Sequence, residues 1–142
     1  MLSKTAIHTI SALVSLAERP PGTYVGAGDL AREIAAPPNY LGKLLKGLGD
    51  QGLVESQKGK GGGFRLARPP AGISLFEVAD RIDRVSRWNG CFLGRGRCAD
   101  EEPCPVHCRW GALRDQYFGL LHDTTIADLC HPANSTFQEL KP

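Results

Sequence analysis

With 142 residues, 42% of them apolar and 23% charged, the chain fits one ordinary globular domain with a modest core, and this composition excludes a disordered protein. A formal net charge of +2 gives the molecule too weak an overall field to recruit a nucleic acid, so such a partner must meet a local basic patch. No basic-then-apolar leader precedes the first periodic segment, and no apolar run approaches the ~18 residues needed to cross a bilayer, so a cytoplasmic protein with no membrane partner is expected.

The first segment, "LSKTAIHTISALVSLAERPPG", repeats Ile7, Ile10, Leu13, Val14 and Ala17 at helical spacing, with Ser3 or Thr5 as the cap and two prolines as the stop. "GDLAREIA" follows as a short helix that Asp29 caps, burying Leu30 and Ile34, and Pro37 and Pro38 end it and open the next. That helix, "PPNYLGKLLKGLGDQG", turns Tyr40, Leu41, Leu44, Leu45 and Leu48 inward and leaves Asn39, Lys43 and Lys46 together outside. Two short helices around a tight corner predict a helix-turn-helix. Gly42, Gly47 and Gly49 each cost about 1 kcal/mol of helix propensity if internal, which predicts a shortened helix or an unusually close approach to DNA.

"LVESQKGKGGGFRLARPP" reads as two strands, Leu53 to Ser56 and Gly63 to Ala67, joined by a tip of lysines and glycines. The tip is not a nucleotide loop, because no Ser or Thr follows Lys60 and the three-glycine dinucleotide spacing fails at Phe64. A basic hairpin after a helix-turn-helix is a wing. It lays Lys58 and Lys60 on phosphates or in the minor groove, glycines such as Gly61 let the backbone come close, and Arg65 and Arg68 extend the patch. On the preceding helix, Asn39, Lys43 and Lys46 reach base edges or phosphates in the major groove.

Ser74 and Glu77 have capping-box spacing at the start of a scaffold helix that buries Leu75, Val78, Ala79 and Ile82. Beyond it, "CFLGRGRCADEEPCPVHC" packs four of the five cysteines and a histidine into one loop. In a reducing compartment such clustering means metal or redox chemistry more often than disulfides. Zinc knuckles separate paired cysteines by two to four residues, whereas the gaps here are six, five and three, which suits a cluster that the loop wraps around. Cys104 precedes a long helix, about Pro105 to His122, whose positive end stabilises its thiolate. Along that helix Val106, Trp110, Leu113, Tyr117 and Leu120 form a heptad seam, best buried against the same helix of a second copy. "TTIADL" makes a closing turn, the last dozen residues read as a tail, Cys130 as a small apolar residue, and the sequon at Asn134 as a chance match.

"LSKTAIHTISALVSLA", "YLGKLLKGLGDQGLVESQKGKGGGFRLARPP", "ISLFEVAD" and the loop ending in "CPVH", in this order, are similar to the winged-helix transcriptional regulators that include the iron-sulfur cluster regulator IscR and the nitric oxide sensor NsrR. The likeness covers residues 1 to 130, and the glycine-rich wing is its most specific part. It implies a mainly α fold with a small β-hairpin wing and a long C-terminal dimerisation helix. The expected organisation is a DNA-binding domain over 1–85, a cysteine-rich loop over 86–104, a dimerisation helix and closing turn over 105–130, and a tail over 131–142. The likeness further implies a homodimer on a double-stranded operator, with DNA contacts near the N-terminus at Ser3 and Lys4 and around Tyr40. In many members, though not all, an iron-sulfur cluster (2Fe-2S or 4Fe-4S) is held by cysteines matching Cys91, Cys98 and Cys104.

His107 matches a histidine that is a ligand in some relatives, and the adjacent Cys108 is a further candidate for the fourth position. Nitric-oxide-sensing relatives use an acidic residue from the partner's first helix; Ile7 stands there and cannot ligate, and its neighbour His8 is the alternative. Gly42 occupies the place of a glutamate that tunes sequence choice in some members. The expected function is a sequence-specific regulator whose cluster senses redox, nitric oxide or iron-sulfur status. The alternatives are a zinc-binding or thiol-switch regulator of the same fold and, less favoured because of the basic wing, a metal-cluster protein for electron transfer or cluster assembly. An enzyme is not expected, since no base, nucleophile and orienting residue form a set.

Overall fold

The computed structural model describes residues 1–96 and 103–130. The first helix, α1 (Lys4–Ala17), is capped by Ser3, whose Oγ accepts the Ala6 N–H at 3.1 Å. It buries Ala6, Thr9, Ile10, Ala12, Leu13 and Leu16. Ile7, expected in the core, is 51% exposed. Small Ala6 and Ala12 let α1 sit among several helices, and the buried Thr9 hydroxyl is satisfied by donating to the Thr5 carbonyl at 2.8 Å. The buried stripe is therefore turned away from Ile7.

The next helix, α2 (Ala27–Ile34), starts earlier than expected: Gly26 is the N-cap, and Asp29 lies inside the first turn, paired with Arg32. The cause is tertiary. Val25 is held extended by a bridge to Phe64, so the chain turns helical immediately after it. Ala35 closes α2 in the left-handed region, and α3 (Pro38–Gly49) opens with a proline in its first turn. Its glycines do not shorten it. A side chain at Gly42 would lie 3.6 Å from the Ala27 Cβ, so this glycine faces α2, and packing outweighs its weak helix propensity.

Strands β1 (Val54–Gln57) and β2 (Gly63–Leu66) pair antiparallel with Val54 opposite Leu66 and Gln57 opposite Gly63. After a turn of 3-10 helix at Pro70–Gly72, α4 (Leu75–Asp83) begins in the expected Ser74–Glu77 capping box and ends at Arg84, which has a positive φ of 52°. A second 3-10 segment, Val85–Asn89, leads into the cysteine loop. Helix α5 (His107–Asp123) starts two residues after Pro105, and α6 (Ile126–Leu129) has its own capping box from Thr125 and Asp128.

One core joins α1, α2, α3, the wing base and α4, with Leu13, Leu30, Leu41, Leu45, Leu48 and Ile73 fully buried. Ile126 of α6 returns to this core, and its N–H donates to the Ile73 carbonyl at 2.9 Å. A smaller cluster of Ala79, Val85 and Leu121 attaches α5, bordered by Trp88 and Tyr117. The expected seam on α5 divides. Trp110 and Tyr117 pack on their own chain, whereas Leu113 and Leu120 are 63% and 58% exposed. Seven-residue steps keep each pair on one line, and the three-residue offset turns the two lines about 60° apart. Among the described residues, no helix is long and apolar enough to cross a membrane.

Candidate DNA-binding face and cysteine loop

Asn39, Lys43 and Lys46 are all exposed on α3, and Lys58 and Lys60 are exposed at the wing tip with Gly61 between the strands. Gly59 and Gly61 hold positive φ angles there, which lets the tip turn tightly and keeps side chains off its surface. Lys4 is exposed at the start of α1. Tyr40, half-buried at the start of α3, meets the His8 ring edge-on with centroids 6.0 Å apart, so the first turns of α1 lie beside the N-terminal end of α3. Together these elements assemble the surface that a winged helix turns toward DNA.

The arginines behave differently from the lysines. The Arg65 Nε donates to Glu55 at 2.8 Å, and its guanidinium lies over the Tyr24 ring at 4.6 Å. Hydrogen bonding to Glu55 raises its already high pKa, so its charge is permanent but committed within the wing. Arg68 donates to the Gly72 carbonyl at 3.1 Å and to Glu77 at 2.9 Å. The basic patch is thus built from lysines, and the arginines brace the hairpin. Ser3 too is engaged inside the protein: its N–H donates to Asp83 at 2.7 Å and its hydroxyl donates to the same carboxylate. Nothing local in the sequence signals this clasp, because its two residues stand 80 positions apart.

In the cysteine loop, Cys91 opens a tight turn: its N–H donates to the Gly96 carbonyl at 2.8 Å, and its carbonyl accepts from Gly94 at 2.9 Å. The Cys91 pKa is lowered by the backbone N–H groups of Arg95 and Leu93 and, to a smaller extent, by the Cys104 side chain and the Arg95 charge, against the opposing effect of burial. Cys104 is buried, and the His107 N–H that begins α5 donates to its carbonyl at 3.0 Å. Neither cysteine is in a disulfide. His107 is half-buried and Cys108 exposed on the first turn of α5. Cys98 lies outside the described residues, and among those described no three His, Cys, Asp or Glu side chains already converge as a metal site.

The remaining candidates separate cleanly. His8 has its Nδ1 buried without a partner against its own α3. Cys130 donates its thiol to the Ile126 carbonyl at 3.3 Å, and burial, then the nearby Glu18 charge, raises its pKa, as suits an inert core thiol. Around Cys91 stands an aromatic frame, of which the sequence singled out Trp110 and Tyr117 only as seam residues and Trp88 and Phe92 not at all. Trp88 stacks on Tyr117 at 5.5 Å, Phe92 leans on Trp110 at 5.5 Å, and the Trp110 Nε1 donates to the Gly90 carbonyl at 3.0 Å. A cavity of about 740 Å³ opens between this frame and the exposed Leu113.

The Rrf2 family model, described as iron-dependent transcriptional regulator, matches residues 2–132. A protein of Aquifex aeolicus described as an HTH-type transcriptional regulator is 30% identical over 131 residues, covering 91% of this chain and 90% of that one. The HTH-type transcriptional regulator IscR of Escherichia coli is 27% identical over 128 residues, covering 90% of this chain and 78% of the relative. Among solved structures, CymR, the global cysteine regulator of B. subtilis, superposes with a TM-score of 0.77 at 21% identity, covering 91% of this chain and 95% of its own. T. potens IscR superposes with a TM-score of 0.71 at 21% identity, covering 91% of this chain and 85% of its own.

Proposed function

The chain belongs to the Rrf2 family of transcriptional regulators, and from that premise we propose that it acts in the cytoplasm as a homodimer on a double-stranded operator, with an iron-sulfur cluster at Cys91, Cys98 and Cys104 as its sensor. DNA is gripped by α3, the wing and the first turn of α1, through Asn39, Lys43, Lys46, Lys58, Lys60 and Lys4, all exposed. The dimer forms along α5, where Leu113 and Leu120 expose apolar surface that a second copy of the helix buries.

The observation that supports the sensor reading is the nearness of Cys91 and Cys104, thirteen positions apart in sequence yet close enough that the Cys104 side chain helps to lower the Cys91 pKa. Soft thiolates are the preferred ligands of iron-sulfur clusters, and backbone N–H groups aimed at a ligand sulfur stabilise its charge. In their chemistry and nearness Cys91 and Cys104 therefore suit the group, with Cys98 as the third proposed ligand. When bound, such a cluster supplies a centre that oxidants, nitric oxide or iron shortage alter. His107 or Cys108 on the first turn of α5 completes the ligation; the burial of the His8 Nδ1 within its own protomer favours it less. Because the loop connects the 3-10 segment after α4 with α5, a change at the sulfurs moves both the DNA-binding body and the pairing helix.

Protein purified without oxygen tests this: it should be brown, contain iron and sulfide, and lose the colour in Cys104→Ala. The same pair of cysteines also suits a thiol switch or a zinc site. A colourless protein with stoichiometric zinc, or one without metal that forms a reversible Cys91–Cys104 disulfide, selects that second reading.

A further inference from the structure

The N-terminal end of α1 is held by one carboxylate. Asp83, the last residue of α4, accepts the Ser3 N–H on Oδ2 at 2.7 Å and the Ser3 hydroxyl on Oδ1. The same hydroxyl oxygen accepts from Ala6 at 3.1 Å, and the Ser3 carbonyl accepts from Ile7 at 3.0 Å. Both donors of Ser3 are thereby committed, and neither is left to offer a phosphate. Its neighbour Lys4 is exposed at the first position of α1. One turn on, His8 lies against Tyr40, which sets this end of α1 beside the N-terminal end of α3.

We propose that Asp83 is a positioning residue for DNA binding, which fixes the first turn of α1 so that Lys4 is presented to the phosphate backbone next to α3. The inference rests on the DNA-binding reading above. A single hydrogen bond would leave the helix start free to swing. Two acceptors on one carboxylate, taking an N–H and an O–H of the same residue, fix both its position and its orientation.

Asp83 also stands where α4 ends. Arg84 turns the chain into the 3-10 segment carrying Trp88, which stacks on Tyr117 of α5, and that segment leads directly to Cys91. The Tyr117 hydroxyl is buried without a partner, and burial, then the Asp83 charge, raises its pKa.

The test uses a labelled mixed-sequence duplex of about 30 base pairs, since phosphate contacts do not depend on sequence. Binding of the wild type, Lys4→Ala, Asp83→Asn and the double variant is measured by anisotropy at low salt. Lys4→Ala should weaken the wild type about threefold to tenfold but the Asp83→Asn protein less than about twofold. A merely destabilising change would leave the Lys4 factor the same in both backgrounds, because it only rescales the folded fraction. Ser3→Ala, which removes the hydroxyl half of the clasp and leaves only the backbone N–H bond to Asp83, should compress the Lys4 factor in the same direction. Equal factors in all backgrounds overturn the proposal. So does tighter binding by Asp83→Asn, which would make the carboxylate a competitor of phosphate. No effect of Lys4→Ala on a wild type that binds the duplex overturns the positioning role alone, and a wild type that binds no duplex overturns the DNA-binding reading with it.

Discussion

Val25, just before the helix-turn-helix, and Phe64, in the second strand of the wing, exchange both backbone hydrogen bonds, Phe64 N–H to Val25 at 2.8 Å and Val25 N–H to Phe64 at 2.9 Å. The bridge ties the root of the wing to the start of α2, so the two elements proposed to grip DNA move as one body. On the proposed reading, a signal from the cysteine loop would be carried by shifts of this whole body, and not by a wing flapping on its own.

The bridge depends on Gly63. Its φ is +143°, and a Cβ there would fall 2.3 Å from the Val25 carbonyl oxygen, so no side chain fits without opening the bridge. Gly63→Ala should lower the unfolding free energy by about 2–4 kcal/mol in urea titrations. Gly59→Ala, at a tip position with open space and only an unfavourable φ of +89°, should cost about 1 kcal/mol. Equal losses at the two sites would contradict the bridge as the reason.

The lysine wing predicts a salt effect. Lys58→Ala with Lys60→Ala should weaken DNA binding and reduce the slope of log affinity against log salt by about two. Arg65→Ala should leave that slope nearly unchanged, because Arg65 is already occupied by Glu55 and Tyr24. Titration of one duplex across a range of salt concentrations compares the variants directly.

Cysteine reactivity separates the loop from the core. In metal-free protein, hydrogen bonds from Arg95 and Leu93 favour the Cys91 thiolate, whereas burial disfavours that of Cys130. Near neutral pH, iodoacetamide should therefore label Cys91 at least about tenfold faster, since the thiolate is the reacting form. The sign follows from the shifts. Lowering the pH protonates Cys91 and slows its labelling only once the pH falls below its depressed pKa, while Cys130 stays protonated to above the ordinary thiol range. Mass spectrometry of a time course reads both sites.

The exposed leucines of α5 predict a separation of assembly from folding. Leu113→Glu with Leu120→Glu should convert the proposed dimer into a monomer in sedimentation experiments, raising its dissociation constant at least about a hundredfold. Because both side chains are exposed within the protomer, the monomer's own stability should change by no more than about 0.5 kcal/mol per site.

Much of this architecture was legible from local pattern. The Ser74–Glu77 capping box, the Ser3 cap, the proline opening of α3 and the hairpin fall where the sequence puts them, because each depends on residues within a few positions of one another. The outward face of Asn39, Lys43 and Lys46 follows equally from helical periodicity. Periodicity failed where a helix is packed from several sides: it placed Ile7 in the core and read Val106, which precedes α5, together with four apolar residues of α5 as one seam.

By itself, then, the sequence determined a winged helix-turn-helix with clustered cysteines before a long helix, since turns, caps and apolar spacing are properties of neighbouring residues. Only the tertiary structure decided which charges remain available: it took Arg65 and Arg68 into ion pairs, gave Ser3 to Asp83, brought Cys91 to Cys104 and left the lysines exposed. Those outcomes are pairings between distant parts of the chain, set by how the helices and the hairpin pack, and no local pattern encodes them.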